Sequence, residues 1–514
     1  VTLGRLLAAL VDPQLLAEAP ALPAGVADRR AGGIAYDSRR VAAGFVFVAL
    51  RGQHADGSAF APQAVARGAA AVVAETNPPA GITVPWITVP DARLALALLA
   101  NRFHGEPSRA LDVVGITGTN GKTTTAYVLR AILEAAGRPC GLLGTVSYLI
   151  AGEQRAATRT TPEAPELQSM LREMADRGSR AAVMEVSSHA LTLRRVDGVR
   201  FAAGVFTNLT RDHLDFHRDM EEYARAKRRL FELLPDGAPG IINADDPRAP
   251  LFVEAARRPI TYAVRRAADV SAGRLSLTLE GIDLDVSSPA GALRIRSSLV
   301  GQPNVYNILA AVATAIALDV PREAIEAGVA TLPGVPGRFE VVSGLHDDVT
   351  VVVDYAHTDD ALRNLLETAR GLAPARVITV FGCGGDRDRT KRPLMGAVAG
   401  RLSDVVFVTS DNPRSEDPAA IIDEILRGVP ARSERTVQVG AERRTVRGPE
   451  VTTVVDRRAA IERAIASAEP GALVVIAGKG HEKHQQIGDR TLPFDDVQVA
   501  RGALEARRSR SRAV

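Results

Sequence analysis

Cysteine is nearly absent: 514 residues hold only Cys140 and Cys383, far apart in sequence. This argues against a disulfide scaffold and fits a reducing cytoplasm. Neither has a His or Cys nearby at metal-ligand spacing, so both read as structural. No apolar run is long enough to span a bilayer. Residues 1–10 carry one Arg and a short apolar patch without the layout of a signal peptide. A strong charge of one sign is also missing, the net being +3 with an isoelectric point near 9.0. The clearest basic cluster, Arg507-Arg508-Ser509-Arg510-Ser511-Arg512, comes with no aromatic or groove-reading motif. It reads as a frayed tail rather than a nucleic-acid arm, and the modest charge suits anionic small molecules.

What is present is ordinary globular composition, 46% hydrophobic and 24% charged, at a length that calls for about three domains. The informative stretch runs from Val113 to Thr125. An apolar run from Leu111 to Ile116 reads as a buried strand. It breaks at Gly118-Thr119-Asn120-Gly121-Lys122-Thr123-Thr124, then turns helical with Tyr127, Leu129, Ile132 and Leu133 on one face. Strand, glycine loop and helix in that order make a phosphate cradle. Lys122 would neutralise terminal phosphates and the Thr123 hydroxyl could ligate Mg²⁺. One residue departs from the usual spacing: six positions before Lys122 stands Ile116, not Gly.

The rest of the chain arranges itself around this loop. The first segment, 1–106, alternates short strands with Ala-rich helices. Ala35-Tyr36-Asp37-Ser38-Arg39-Arg40 and Arg51-Gly52-Gln53-His54-Ala55-Asp56-Gly57 flank a strand over 45–50, either as a ligand loop or as plain turn chemistry. The second segment, 107–336, places Thr160-Thr161, Glu185-Val186-Ser187-Ser188-His189 and Asn208 through His217 at or near strand ends beside the loop. An amphipathic helix over 220–234 carries Lys227, and β-alternation over 259–298 suggests a hairpin. A Pro- and Gly-dense stretch over 332–340 opens the third segment, 337–514. There, strands over 349–353, 376–381, 404–409 and 472–477 alternate with helices, the pattern of a parallel doubly wound sheet. Each strand ends in a polar loop: Asp354-Tyr355-Ala356-His357, Gly382 to Arg387, Ser410-Asp411-Asn412-Pro413-Arg414, and Gly478-Lys479-Gly480-His481-Glu482. All four loops should share one sheet edge.

Glu185 and His213 can join Thr123 around a hard cation. No nucleophile with an adjacent base stands out; Ser188 and His189 are sequence neighbours, which does not make a catalytic pair. ATP, metal and cations without a protein nucleophile suggest phosphoryl transfer run by geometry and charge.

The motif order resembles the Mur ligase family, ATP-dependent amide ligases that build the peptidoglycan stem peptide. The carriers are Gly118 to Thr123, Glu185 to His189, Asn208 to Asp215, Pro336-Gly337-Arg338-Phe339-Glu340 and Asp354 to His357. The likeness covers almost the whole chain and accounts for the displaced first glycine. It implies an α/β fold of three domains, with a central P-loop ATPase-type mixed sheet and a C-terminal Rossmann-like doubly wound sheet. Asp411-Asn412-Pro413-Arg414 is similar to the form in members that add meso-diaminopimelate to UDP-MurNAc-L-Ala-D-Glu. A guanidinium suits the second carboxylate that lysine lacks.

By resemblance, Lys122, Glu185, His213 and Lys227 are catalytic; Thr123, Glu185 and His213 are metal ligands, and Lys227 as a carbamate binds a second Mg²⁺. Gly118 to Thr124, Asn304, Arg338 and His357 would bind ATP. Ser38, Gln53, His54, Ala55, Thr160, Thr161, Ser187 and Arg195 would bind the UDP-muramoyl-dipeptide. Arg387, Asp411, Asn412, Pro413, Arg414, Gly478 and Glu482 would bind the amino acid, with Glu482 on its distal ammonium. A cytoplasmic monomer with no nucleic-acid or membrane partner is implied. Three positions depart from the family: Pro303 for a Phe, Asp359 for a Pro and Leu193 for a Gln found in some relatives. The alternatives are a lysine-adding relative, a folylpolyglutamate synthetase, and a non-enzymatic P-loop nucleotide switch.

Overall fold

Three separate sheets organise the chain in a computed structural model that describes residues 1–511, apart from 53–55, 345, 431–433, 440–441 and 448. The first has four parallel strands, Gly33–Ala35, Phe45–Ala49, Ala71–Ala74 and Trp86–Thr88, in sequence order. Asp91 starts the helix Ala92–Phe103 by accepting from the backbone N–H groups of Arg93 and Leu94, which otherwise lack partners. Ala97 and Ala100 of that helix pack on Ala164, so small side chains let this unit lie close to the next.

The second sheet has eleven strands. Six parallel strands form its middle, in the order Arg258–Ala263, Pro239–Asn243, Phe201–Phe206, Asp112–Thr117, Ala181–Glu185 and Cys140–Leu143. Ser147–Ile150 and Glu153–Ala156 extend one edge antiparallel. At the other edge Val270–Leu277 pairs parallel to Arg258–Ala263, then antiparallel to Ile282–Ser287, which pairs with Leu293–Ser297. The expected single hairpin over 259–298 is therefore one parallel strand followed by a three-stranded meander. Alternation alone does not tell which strand a neighbour pairs with. Helices cover both faces: Lys122–Ala135, Gln302–Ala317 and Arg322–Thr331 on one, Ala164–Asp176, Met220–Glu232 and Ala249–Ala255 on the other.

The third sheet runs Glu340–Val341, Thr350–Asp354, Leu473–Ala477, Val377–Phe381, Val405–Val408, Glu450–Thr453, all parallel except the first pair. Apolar side chains on its two faces enter different cores, so it is doubly wound as expected. The strands order by space, not by sequence: Leu473–Ala477 inserts between Thr350–Asp354 and Val377–Phe381. The basic C-terminal run is not frayed as far as residue 511. It ends the helix Asp496–Ser511, and Arg507 grips Asp348 through Nε–Oδ1 at 2.8 Å and Nη2–Oδ2 at 2.7 Å. Arg512 lies outside the described residues.

Two of the departures fit their helices. Pro303 occupies the first turn of Gln302–Ala317, where a missing N–H costs nothing. Asp359 is the first residue of Asp359–Gly371, after the capping Thr358, where a carboxylate meets the positive end of the helix. Leu193 caps the short helix Ser188–Thr192.

Candidate functional site

The phosphate loop begins where the buried strand Asp112–Thr117 meets the helix Lys122–Ala135. Gly118 has φ +145°, and a Cβ there would sit 1.8 Å from Thr207 Oγ1; Gly121, at φ +87°, would meet Asn307 Oδ1 at 2.3 Å. Those close approaches require glycine at both positions. Lys122 Nζ folds over the loop and donates to the carbonyls of Gly118 (2.8 Å) and Thr119 (2.9 Å). Thr123 Oγ1 donates to Glu185 Oε1 at 3.0 Å and accepts from Arg338 Nη2 at 3.1 Å. Glu185 is buried and also accepts from Thr145 N and Thr145 Oγ1.

This network continues outward. Thr145 Oγ1 lies 3.0 Å from Thr160 Oγ1. Thr161 Oγ1 donates to the Glu185 carbonyl and accepts from Ser187 N, while Arg195 donates to the Thr161 carbonyl and pairs with Glu163. Thr160, Thr161, Ser187 and Arg195 therefore form one connected wall leading away from the phosphate loop. Thr145 was missed in the sequence, where it stands between Gly144 and Val146 with no motif to mark it.

Lys227 enters from the opposite side. It is 1% exposed, donates from Nζ to the Gly118 carbonyl at 2.8 Å, and lies 4.5 Å over the Tyr223 ring. Burial, then the neighbouring Lys122 ammonium, push its pKa well below the usual lysine value. His213 adopts φ +54°, its ring edge-on to His189 at 4.9 Å, and burial holds it down to about 3 despite Asp212 beside it. His189 stacks on Phe216 at 4.0 Å, whereas Ser188 Oγ lies 3.0 Å from His217 Nε2. Ser188 and His189 are thus not partners. Among the described residues no three of His, Cys, Asp and Glu converge on a point that could hold a metal.

A cavity of about 270 Å³ lies over the loop, lined by Lys122, Thr123, Glu185, His213, Asn304, Arg338 and His357 among others. Asn304 is fixed by donating to the Val300 carbonyl and accepting from Asn307. His357 Nδ1 lies 3.0 Å from the Tyr355 carbonyl, and Arg338 crosses the Tyr355 ring at 4.8 Å.

A second cavity, about 560 Å³, opens beside the first. All four polar loops of the third sheet reach it, through Tyr355, Gly384, Asp411 and Gly478, as parallel strand ends on one edge must. Thr160, Ser187, Asp212, His213, Tyr355 and His357 line both cavities. Arg387, Asp411, Asn412, Arg414, Gly478 and Glu482 line the second. Pro413 does not: it is buried behind its loop, its carbonyl so close to Gly385 that a Cβ there would be 1.9 Å away. Asn412 Nδ2 donates to Glu482 Oε2 at 2.9 Å, and Arg414 Nη1 donates to the Gly385 carbonyl at 2.6 Å. Lys479, named in its loop but given no role, proves central, bonding Asp411, Asn412 and Glu482.

Ser38 borders neither cavity; its buried hydroxyl donates to Gln63 Oε1 at 2.8 Å. Gln53, His54 and Ala55 lie outside the described residues. The first sheet is tied to the second unit through Tyr36 and Arg40, both on Glu166. Cys140 and Cys383 are buried and unpaired, their thiols pushed up to about 12.

Three family profiles match in order: Mur ligase family, catalytic domain over 30–104, Mur ligase middle domain over 116–315, and Mur ligase, glutamate ligase domain over 337–480. A protein of Solibacter usitatus named UDP-N-acetylmuramoyl-L-alanyl-D-glutamate--2,6-diaminopimelate ligase is 46% identical over 510 residues, 98% of each chain. One of the same name from Gloeobacter violaceus is 48% identical over 480 residues, covering 93% of this chain and 94% of its own. A solved structure titled as that ligase superposes with a TM-score of 0.67 at 33% identity, covering 95% of this chain and 98% of its own. With sequence likeness running end to end through all three sheets, the chain belongs to the Mur ligase family.

Proposed function

We propose that the protein is the ATP-dependent ligase that joins meso-diaminopimelate to the D-Glu γ-carboxylate of UDP-MurNAc-L-Ala-D-Glu, a step of peptidoglycan precursor synthesis and hence of cell shape and division. It would work as a cytoplasmic monomer of three domains, 1–106, 107–336 and 337–514. The observation that carries this reading is the shared wall of the two cavities: one holds a phosphate loop, the other four polar loops with paired acids and arginines. A carboxylate placed at that wall faces phosphate on one side and an incoming amine on the other. The names borne by the two relatives described above agree.

The γ-phosphoryl group passes to the carboxylate, giving an acyl phosphate and ADP. The amine attacks, and the tetrahedral intermediate expels phosphate to leave the amide. Lys122 would turn from its loop carbonyls to the terminal phosphates, while Arg338, Asn304 and His357 orient the nucleotide. Thr160, Thr161, Ser187 and Arg195 would hold the muramoyl-dipeptide, with Ser38 and residues 53–55 on the uridine end. Arg387 and Arg414 suit carboxylates of the amino acid; Asp411 and Glu482 suit an ammonium.

Thr123 and Glu185 fit Mg²⁺, being hard oxygen donors 3.0 Å apart beside the loop, with phosphate oxygens and water to complete the shell. His213, kept neutral by burial, would supply a third ligand, and Lys227 a fourth as carbamate. A neutral amine is the form that adds CO₂, and burial favours that form of Lys227. Bound Mg²⁺ would offset charge on the phosphates and the activated carboxylate. The test is stoichiometric: ADP release should require the muramoyl-dipeptide and the amino acid together. Steady ATP turnover without the dipeptide would overturn the reading.

A further inference from the structure

Only five of the chain's 63 Lys and Arg residues are lysines. One of them, Lys479, has a completely buried side chain in the loop that follows the strand Leu473–Ala477, behind Asp411, Asn412 and Glu482 of the second cavity's floor. Its Nζ lies 2.9 Å from Glu482 Oε2, 3.1 Å from Asn412 Oδ1 and 3.4 Å from Asp411 Oδ1. Three acceptors meet the three protons of one ammonium, a tetrahedral arrangement that a planar guanidinium does not reproduce.

The consequences reach the cavity through other residues. Glu482 Oε2 is held twice, by Lys479 and by Asn412 Nδ2, so the second oxygen is left for a ligand. Asn412 Oδ1 accepts from both Lys479 and the backbone N–H of Gln486 at 2.9 Å, which fixes the amide with its NH₂ toward Glu482. Lys479 itself is 0% exposed while the Glu482 side chain is 24% exposed, so the lysine does not touch the amino acid and the glutamate can.

Charge gives the second consequence. One cation, Lys479, faces two carboxylates, Asp411 and Glu482, leaving one negative charge. That count is of the Lys479 cluster alone; Arg387 and Arg414 line the same cavity as the side that meets carboxylates and are common to all the variants below. Arg457 is neutralised by its buried partner Asp496, and burial keeps His481 uncharged, down to about 3. Diaminopimelate carries two ammonium and two carboxylate groups and is neutral overall; lysine has one carboxylate fewer and is a net cation. A floor with one negative charge can take one ammonium without strongly attracting net positive ligands. A floor with two would favour the cation.

We propose that Lys479 is a positioning and specificity-determining residue: it fixes Glu482 and Asn412 and sets the floor's charge so that a neutral diamino diacid is preferred over a cationic diamino acid. This rests on the ligase reading above. The test compares kcat/KM for meso-diaminopimelate and L-lysine in the full chain and in Lys479→Met, Lys479→Gln, Lys479→Arg and Lys479→Met with Glu482→Gln. Both neutral single variants should raise the diaminopimelate KM at least about tenfold and lower the diaminopimelate-to-lysine ratio, with the KM for ATP unchanged. Lys479→Arg, keeping the charge but not the tetrahedral arrangement, should raise the KM for both amino acids and keep the ratio. The double variant, again with one negative charge, should recover part of it.

A ratio that stays constant in the neutral variants, or an ATP KM that rises in step, overturns the inference. Should neither neutral variant fold, Lys479→Arg decides alone, and a collapsed ratio there overturns it. Failure of the unsubstituted chain to use diaminopimelate would instead remove the ligase reading.

Discussion

Arg414→Met is the most instructive substitution at the second cavity. Arg414 sits in the left-handed region at φ +51°, a strain that any non-glycine residue shares, so Met retains the backbone and the stem and removes only the guanidinium. One donor, Nη1, is tied to the Gly385 carbonyl at 2.6 Å, which aims the remaining donors at the cavity. A charge-assisted hydrogen bond to a carboxylate contributes about 1.5–3 kcal/mol. At 1.36 kcal/mol per factor of ten, that predicts a loss of roughly 10- to 150-fold in kcat/KM for diaminopimelate. Use of L-lysine, which lacks the second carboxylate, should change little, as should the KM for ATP. Steady-state ADP release with each amino acid measures all three. Equal losses for both amino acids would refute the assignment of Arg414 to the extra carboxylate.

Gly118→Ala forces a Cβ to within 1.8 Å of Thr207 Oγ1 and should abolish ATP binding in a calorimetric titration; retained affinity would show that the loop can move aside. Cys140 and Cys383 should resist a thiol reagent in the native protein and both react after denaturation, their burial having raised both thiols to about 12. His481 gives a pH signature. Burial holds it down to about 3 against 6.5, so below pH 6.5 the unfolded chain binds the extra proton. Its contribution to stability is therefore whole above 6.5 and is lost as pH falls toward 3. The slope is at most about 1.4 kcal/mol per pH unit, reduced by the partial exposure of the residue. His481→Phe, which keeps a ring against Tyr355, should lose less stability between pH 6.5 and 4 in denaturant titrations; parallel losses would contradict this.

Local chemistry was legible in the sequence wherever a motif and an element end coincide. Gly118 to Thr123, the polar loops of the third sheet and the doubly wound pattern all follow from short stretches whose neighbours in space are also neighbours in sequence. Pairings across the sheet were not legible. The meander over 270–297 read as one hairpin because alternation marks a strand without naming its partner. Pro413 read as a ligand-facing residue because a motif does not say which of its members turns inward. Thr145 and Lys479 act through hydrogen bonds to residues 40 and 67–68 positions away, and no local pattern records such distances. The C-terminal arginines looked free because Asp348, which anchors Arg507, is 159 residues earlier.

The central claim is that one wall joins a phosphate loop to a site for a diamino diacid. It is tested most directly by supplying the purified chain with ATP, Mg²⁺, UDP-MurNAc-L-Ala-D-Glu and equal amounts of meso-diaminopimelate and L-lysine, then weighing the product by mass spectrometry. The account predicts one UDP-muramoyl-tripeptide carrying diaminopimelate, with one ADP and one phosphate per product. A lysine-containing tripeptide as the main product, or no tripeptide at all, would contradict it.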